Sequence, residues 1–176
     1  MDRHSQTTHR LLHWVMAALV IFLISLGYYM TTYQQFSLYH LHKSLAVLVI
    51  PLLMIRVFLR IRDPWRSGAA ALPRWVSAYH WLLLVGLLLM LVSGAAYSGF
   101  GGYGIGFFGI ELVSASKDAL QQYTAYSATL STFGQQVHVA AGYALSALLG
   151  LHVVAALKHH FVDRDNTLRH MLWARG

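Results

Sequence analysis

The chain has 176 residues, of which 57% are hydrophobic and only 11% charged, whereas a soluble domain carries roughly 25% charged residues, so the missing charge points to a surface that faces lipid. Cysteine is absent, which excludes disulfides, iron–sulfur clusters and thiolate-held zinc or haem and leaves nitrogen and oxygen as metal donors. The formal net charge of +7 would suit a nucleic-acid partner in a soluble protein, but its distribution along the chain assigns it another role.

Four apolar runs reach the roughly 20 residues that a helix needs to cross a bilayer, at about 11–30, 41–59, 75–97 and 137–157. Only helices close their own backbone hydrogen bonds in lipid at this length. The expected fold is therefore all-α, an integral membrane four-helix bundle forming a single domain over residues 1–176. The first run is too long for a signal peptide and has no small-residue cleavage site after Met30, so it reads as retained. The second contains Pro51, which should kink it, and neighbouring helices tolerate such a kink.

Between the third and fourth runs lies a long segment, 98–136, rich in glycine from Gly99 to Gly109. Gly104-Ile-Gly106-Phe-Phe-Gly109 formally matches a dinucleotide fingerprint. That fingerprint needs a strand before it and a helix after it. Neither is expected here, so the segment reads as a flexible or interfacial loop.

The basic residues fall on one side. Arg3 and Arg10 precede the first run; Arg56, Arg60, Arg62, Arg66 and Arg74 cluster between the second and third; Lys158, Arg164, Arg169 and Arg175 follow the fourth. Only Lys43 and Lys117 lie opposite. The positive-inside rule then places both termini of a multi-pass membrane protein in the cytoplasm. Trp14, Trp65, Trp75, Trp81 and Trp173 mark the same boundary, as an interfacial belt does. Topology accounts for the charge, and no nucleic-acid partner is needed.

Ionisable residues inside spans are expensive and usually functional. His13, His42, His80, His138 and His152 lie in or at the edge of spans. His138 and His152 are fourteen residues apart, nearly four turns, so both leave one face of the fourth helix about 21 Å apart along its axis. That spacing makes two layers, one per leaflet. His42 matches the depth of His138 on the outer side, and His13 matches His152 on the inner side. Two imidazoles from facing helices are what a six-coordinate haem b iron takes, which points to two haem b groups. Ala140, Ala141, Gly142, Ala144 and Gly150 would let a flat macrocycle approach the fourth helix. His80 shares the depth of His13: it is the alternative inner ligand, or a hydrogen-bond partner for a propionate or quinone. His40 is the corresponding alternative to His42, while His4, His9 and His170 read as surface residues. Arg10, Arg56 and Arg60 are at the depth of inner propionates, and Lys43 is beside the outer haem.

Four spans, His13-Trp14, His42-Lys43-Ser44-Leu45-Ala46, the His80 run and the His138/His152 pair resemble the bacterial cytochrome b561 family. The tail from Leu151-His152 through His159-His160-Phe161 to Asp165-Asn166-Thr167-Leu168 resembles its compact stand-alone members, although Ala46 stands where the family often has Gly. The resemblance implies an oxidoreductase with His13 and His152 on the inner haem iron and His42 and His138 on the outer one. It also implies superoxide or a periplasmic electron donor outside, and ubiquinone as acceptor near His159. A positive funnel would steer superoxide, but Lys43 and Lys117 are balanced by Glu111 and Asp118. The competing reading is a membrane anchor subunit that takes electrons from a docked periplasmic dehydrogenase or hydrogenase.

Overall fold

The computed structural model describes residues 3–62, 66–67, 70–71, 73–164 and 167–172. Trp65, Trp173, Arg175 and the Asp165-Asn166 pair lie outside these residues, as do the side chains of Arg3, His4, Arg66 and His170.

Four long helices dominate: α1 (Arg3–Tyr33), α2 (Tyr39–Arg62), α3 (Arg74–Phe100) and α4 (Ala128–Phe161). All four are long and apolar enough to cross a bilayer. Most of their large apolar side chains are exposed, among them Phe22, Met54, Val92 and Val154. In water that would be a liability; in lipid it is the solvated face. The chain is thus a helical membrane bundle. A short helix, α5 (Thr167–Leu172), follows α4, and Trp14 Nε1 donates to the Met171 carbonyl at 2.9 Å, tying it back to α1.

The buried positions are few and fall in a stripe. On α1 it runs Leu12, Met16, Val20, Leu23, Leu26 and Met30, steps of three and four that keep one face inward. Leu53 of α2 closes the cluster around Leu12 and Met16. His9 begins the same stripe and is only 3% exposed, so it is not the surface residue that its place before the apolar run suggests.

Close backbone packing joins α1 to α2 and α3 to α4, and is much sparser between the two pairs. Small residues allow the α3–α4 approach. A Cβ on Gly134 would come within 2.7 Å of the Tyr97 amide nitrogen and 3.0 Å of the Ser93 carbonyl oxygen. Pro51 lies inside α2, which continues past it to Arg62.

The segment expected to be a loop as far as 136 differs in two ways. Helix α4 starts at Ala128, with Ser127 Oγ accepting from the Leu130 amide as its N-cap. At about 1.5 Å per residue its 34 residues span about 51 Å, so it must project well beyond a hydrocarbon core of about 30 Å. Upstream, β1 (Ile105–Phe107) and β2 (Ile110–Val113) form an antiparallel hairpin. The glycines serve its backbone. Gly102 and Gly104 have φ of 74° and 67°, and a side chain at Gly102 would run into the Thr124 carbonyl. A second, two-residue hairpin (Arg66–Ser67 with Ala70–Ala71) links α2 to α3.

Candidate functional site: two histidine pairs between the helix pairs

The histidines of α4 face the other helix pair at both ends. His138 faces His42 of α2, with ring centroids 6.4 Å apart and planes at 80°. His152 faces His13 of α1 at 6.2 Å and 62°. The structure therefore brings together the two pairs that depth alone suggests. His40 does not join them: its side chain is exposed.

These separations test whether a haem iron fits. Two imidazoles trans on one metal stand about 6.2 Å apart between centroids, from about 2.0 Å per metal–nitrogen bond and about 1.1 Å from nitrogen to ring centre. Both pairs meet this figure. His80 is nearer to His152, at 5.4 Å and 82°, which is too short for trans ligation by that pair. Its Nδ1 lies 2.7 Å from the Val76 carbonyl of its own helix. A carbonyl only accepts, so the proton sits on Nδ1 and Nε2 presents a lone pair. To donate to a propionate or a quinone, His80 would have to be protonated.

Helix α3 carries neither member of a pair but shapes both. His138 Nδ1 is 3.0 Å from the Met90 carbonyl and 3.4 Å from Ser93 Oγ. The proton on Nδ1 fixes the ring and leaves Nε2 as the donor for a metal, the usual division of labour in a ligating histidine. Gly94 makes room for it: a Cβ there would lie 3.0 Å from His138 Cε1 and Nδ1. Gly27 of α1 stands similarly beside His42, at an ordinary 3.7 Å. At the other end, Tyr79 lies nearly parallel to His152, and its hydroxyl donates to the Leu148 carbonyl one turn earlier. None of these residues was singled out by the sequence. A glycine or a main-chain carbonyl inside an apolar run carries no chemical signature until its neighbour is known.

The cationic candidates divide by their engagements. Arg56 Nη1 donates to the His9 carbonyl at 2.8 Å. Arg60 Nη2 donates to the Ser77 carbonyl at 3.0 Å and to Ser77 Oγ at 3.1 Å, with the guanidinium 5.4 Å from the Trp81 ring centre. A guanidinium has five donors, so each keeps capacity for an anion, and Arg10 lies one residue after buried His9. Lys43 differs. Its ammonium donates to Ser98 Oγ at 3.0 Å and to the carbonyls of Tyr103 at 3.1 Å and Gly104 at 2.9 Å. That uses all three of its donors, so Lys43 would have to release one to meet a propionate. Its neighbour Ser44 accepts from the Phe108 amide at 2.9 Å. The residues flanking His42 thus fasten the hairpin over the outer pair.

His159, the candidate at the quinone end, has Nδ1 3.1 Å from Asp163 Oδ2, which Lys158 Nζ also approaches at 2.7 Å. It lies seven residues, about two turns, beyond His152 of the inner pair, at the basic end of the bundle.

Four apolar helices, with histidines paired across a gap at the spacing of a bis-imidazole iron, define a membrane cytochrome of the b type. Comparison with known proteins gives the particular family. A model described as prokaryotic cytochrome b561 matches residues 4–174, and the chain belongs to that family, which binds b-type haem and transfers electrons within membranes. "Cytochrome b561 homolog 2" of Escherichia coli (strain K12) is 31% identical over 173 residues, covering 91% of this chain and 86% of that protein. "Probable superoxide oxidase CybB" of Yersinia pestis is 25% identical over 183 residues, covering 92% and 91%.

Proposed function

We propose that the chain is a di-haem electron carrier of the bacterial inner membrane, moving electrons between a donor at its outer, hairpin face and ubiquinone at its cytoplasmic, basic face. The carrying observation is that both histidine pairs face each other across the helix pairs with ring centres 6.2 and 6.4 Å apart, a separation that would admit a metal between them. Haem b, when bound, supplies a one-electron carrier in each leaflet. The chain's residues do the rest. His13 and His152 would hold the inner group, His42 and His138 the outer one. Arg10, Arg56 and Arg60 supply donors for inner propionates at a depth where an unpaired carboxylate would be costly. His159, held by Asp163, can pass a proton to a reduced quinone oxygen and be recharged from the cytoplasm.

The donor we favour is superoxide, in line with the name of the Yersinia pestis relative. Two superoxide anions give up one electron each and leave as oxygen; one quinone takes both electrons and two protons. The test has two parts. Purified protein should carry two haems per chain, and His13→Ala, His42→Ala, His138→Ala or His152→Ala should each reduce this to one, while His80→Ala keeps both. In liposomes, enzymatically generated superoxide should then yield ubiquinol at a rate that depends on the protein. Two haems with no ubiquinol would remove superoxide as the donor.

A second reading has its own support. The hairpin exposes Phe108, Ile110, Leu112 and Val113. Glu111 and Asp118 fold back to accept from backbone amides, and Lys43 is turned inward. An apolar outer surface whose carboxylates are occupied, and whose exposed Lys117 lies over the Tyr123 ring at 5.2 Å, also suits the docking of a periplasmic dehydrogenase or hydrogenase. Co-purification of a second polypeptide, without which the cytochrome stays oxidised, would decide for it.

A further inference from the structure

Beyond α4 the chain turns sharply. Arg164 adopts φ of 53°, a left-handed conformation that reverses direction and lets α5 come back toward the bundle. Between the end of α4 and α5 lies a cavity of about 410 Å³ lined by His160, Phe161, Arg164 and Arg169. Its chemistry is one-sided. Two guanidiniums and an imidazole line it, and no carboxylate among the described residues does. The nearby Asp163 is engaged by Lys158 and His159. Neither Arg164 nor Arg169 forms an ion pair among the described residues. The fourth wall is Phe161, which is 69% exposed.

Arginines drawn round one space, with no carboxylate among the described residues between them, repel each other unless an anion lies there. Guanidiniums prefer planar, doubly hydrogen-bonded partners, and phosphate is the commonest such anion at a cytoplasmic membrane surface. An aromatic wall at the level where the helix leaves the lipid suits a ligand with an apolar continuation. We propose that this cavity binds a phosphoryl group, supplied by the headgroup of an acidic phospholipid. The site begins at His160, next to His159, yet is independent of the quinone reading, because a quinone is uncharged and makes no use of two guanidiniums.

The test uses the full, haem-loaded chain in a zwitterionic detergent. Phosphatidylglycerol or phosphatidylcholine is titrated in, and bound lipid is counted by native mass spectrometry. We expect one phosphatidylglycerol to be retained preferentially. The Arg164→Gln/Arg169→Gln double variant should weaken its binding on the order of tenfold or more, since several charge-assisted hydrogen bonds go. Arg62→Gln, an exposed cation at the same end, should leave it unchanged. Circular dichroism and the haem spectrum show that each variant is folded. Inorganic phosphate in a parallel arm distinguishes the sources. If it fails to displace the lipid, the headgroup is the ligand; if it displaces the lipid at equal concentration, the site stands with a soluble phosphoryl ligand instead. Equal retention of both lipids, or undiminished phosphatidylglycerol binding by the double variant, would overturn the proposal.

Discussion

Among the residues around the outer pair, Gly94 gives the sharpest test because its role is steric and local. A Cβ at this position would be 3.0 Å from the His138 ring, closer than packed carbons tolerate. The ring is also held by the Met90 carbonyl, so it cannot swing aside without losing that hydrogen bond. Gly94→Val should therefore displace His138 and abolish the outer haem, while the inner pair, about 21 Å away along α4, keeps its own. The expected result is one haem per chain with the folded helix content intact. Gly94→Ala asks less, a shift of a few tenths of an ångström, and should retain both haems with an altered outer spectrum. If Gly94→Val kept two unaltered haems, the outer group would not be held through His138.

At the scale of elements, the hairpin is the part with most to lose. Its strands are three and four residues long, too short to be stable alone, and β2 is exposed throughout. What fixes it is α2, through Lys43 and Ser44. Lys43→Ala removes three charge-assisted hydrogen bonds at once. Hydrogen bonds to a charged group are worth about 1.5–3 kcal/mol each, but water replaces part of that at a surface, so a local loss of about 2–4 kcal/mol is a fair expectation. Hydrogen exchange over 101–113 should accelerate by more than tenfold, with α1 to α4 unaffected. Lys43→Arg, longer and planar, should restore protection only in part. Unchanged exchange would mean that the hairpin holds itself.

The same elements show what the sequence could convey. The four spans were legible because lipid imposes long apolar runs with no other solution. The histidine pairs were legible because helical rise converts spacing into depth. The hairpin was not: its strands are shorter than any periodic signal, and its glycines resemble a nucleotide loop as much as a turn. Nor was the outward extension of α4, since Ala128 to Gln136 is neither strongly apolar nor charged and only Ser127 announces it. His9 was readable after all. It falls four residues before His13 and continues the buried stripe of α1, but an apolar-run criterion cuts the helix just after it.

For the whole molecule, the decisive feature is the division into two helix pairs. Helices in lipid are not driven together by the hydrophobic effect, because acyl chains are as apolar as leucine. They associate through close packing and polar contacts. Within each pair such packing exists, as at Gly134 between α3 and α4. Between the pairs, Leu84, Leu87 and Leu91 of α3 reach the Leu12–Met16–Leu53 cluster and Arg60 donates to Ser77, but close backbone packing is sparse and histidines face each other at both ends. Two metal groups bridging those histidines would add to these few direct contacts, so haem should be a structural element as well as a carrier. Binding to the folded state alone stabilises by RT ln(1 + [L]/Kd), about 4 kcal/mol at a thousandfold excess over Kd. Chain made under haem limitation should keep its helix content yet melt well below the loaded form. A cysteine pair engineered near the His13 and His152 turns should cross-link less readily than one set within α3–α4. Adding haem should restore both the melting temperature and the α1–α4 cross-link. If the haem-free chain were as stable and as readily cross-linked as the loaded one, direct helix contacts would suffice, and the paired histidines would have to be explained by electron transfer alone.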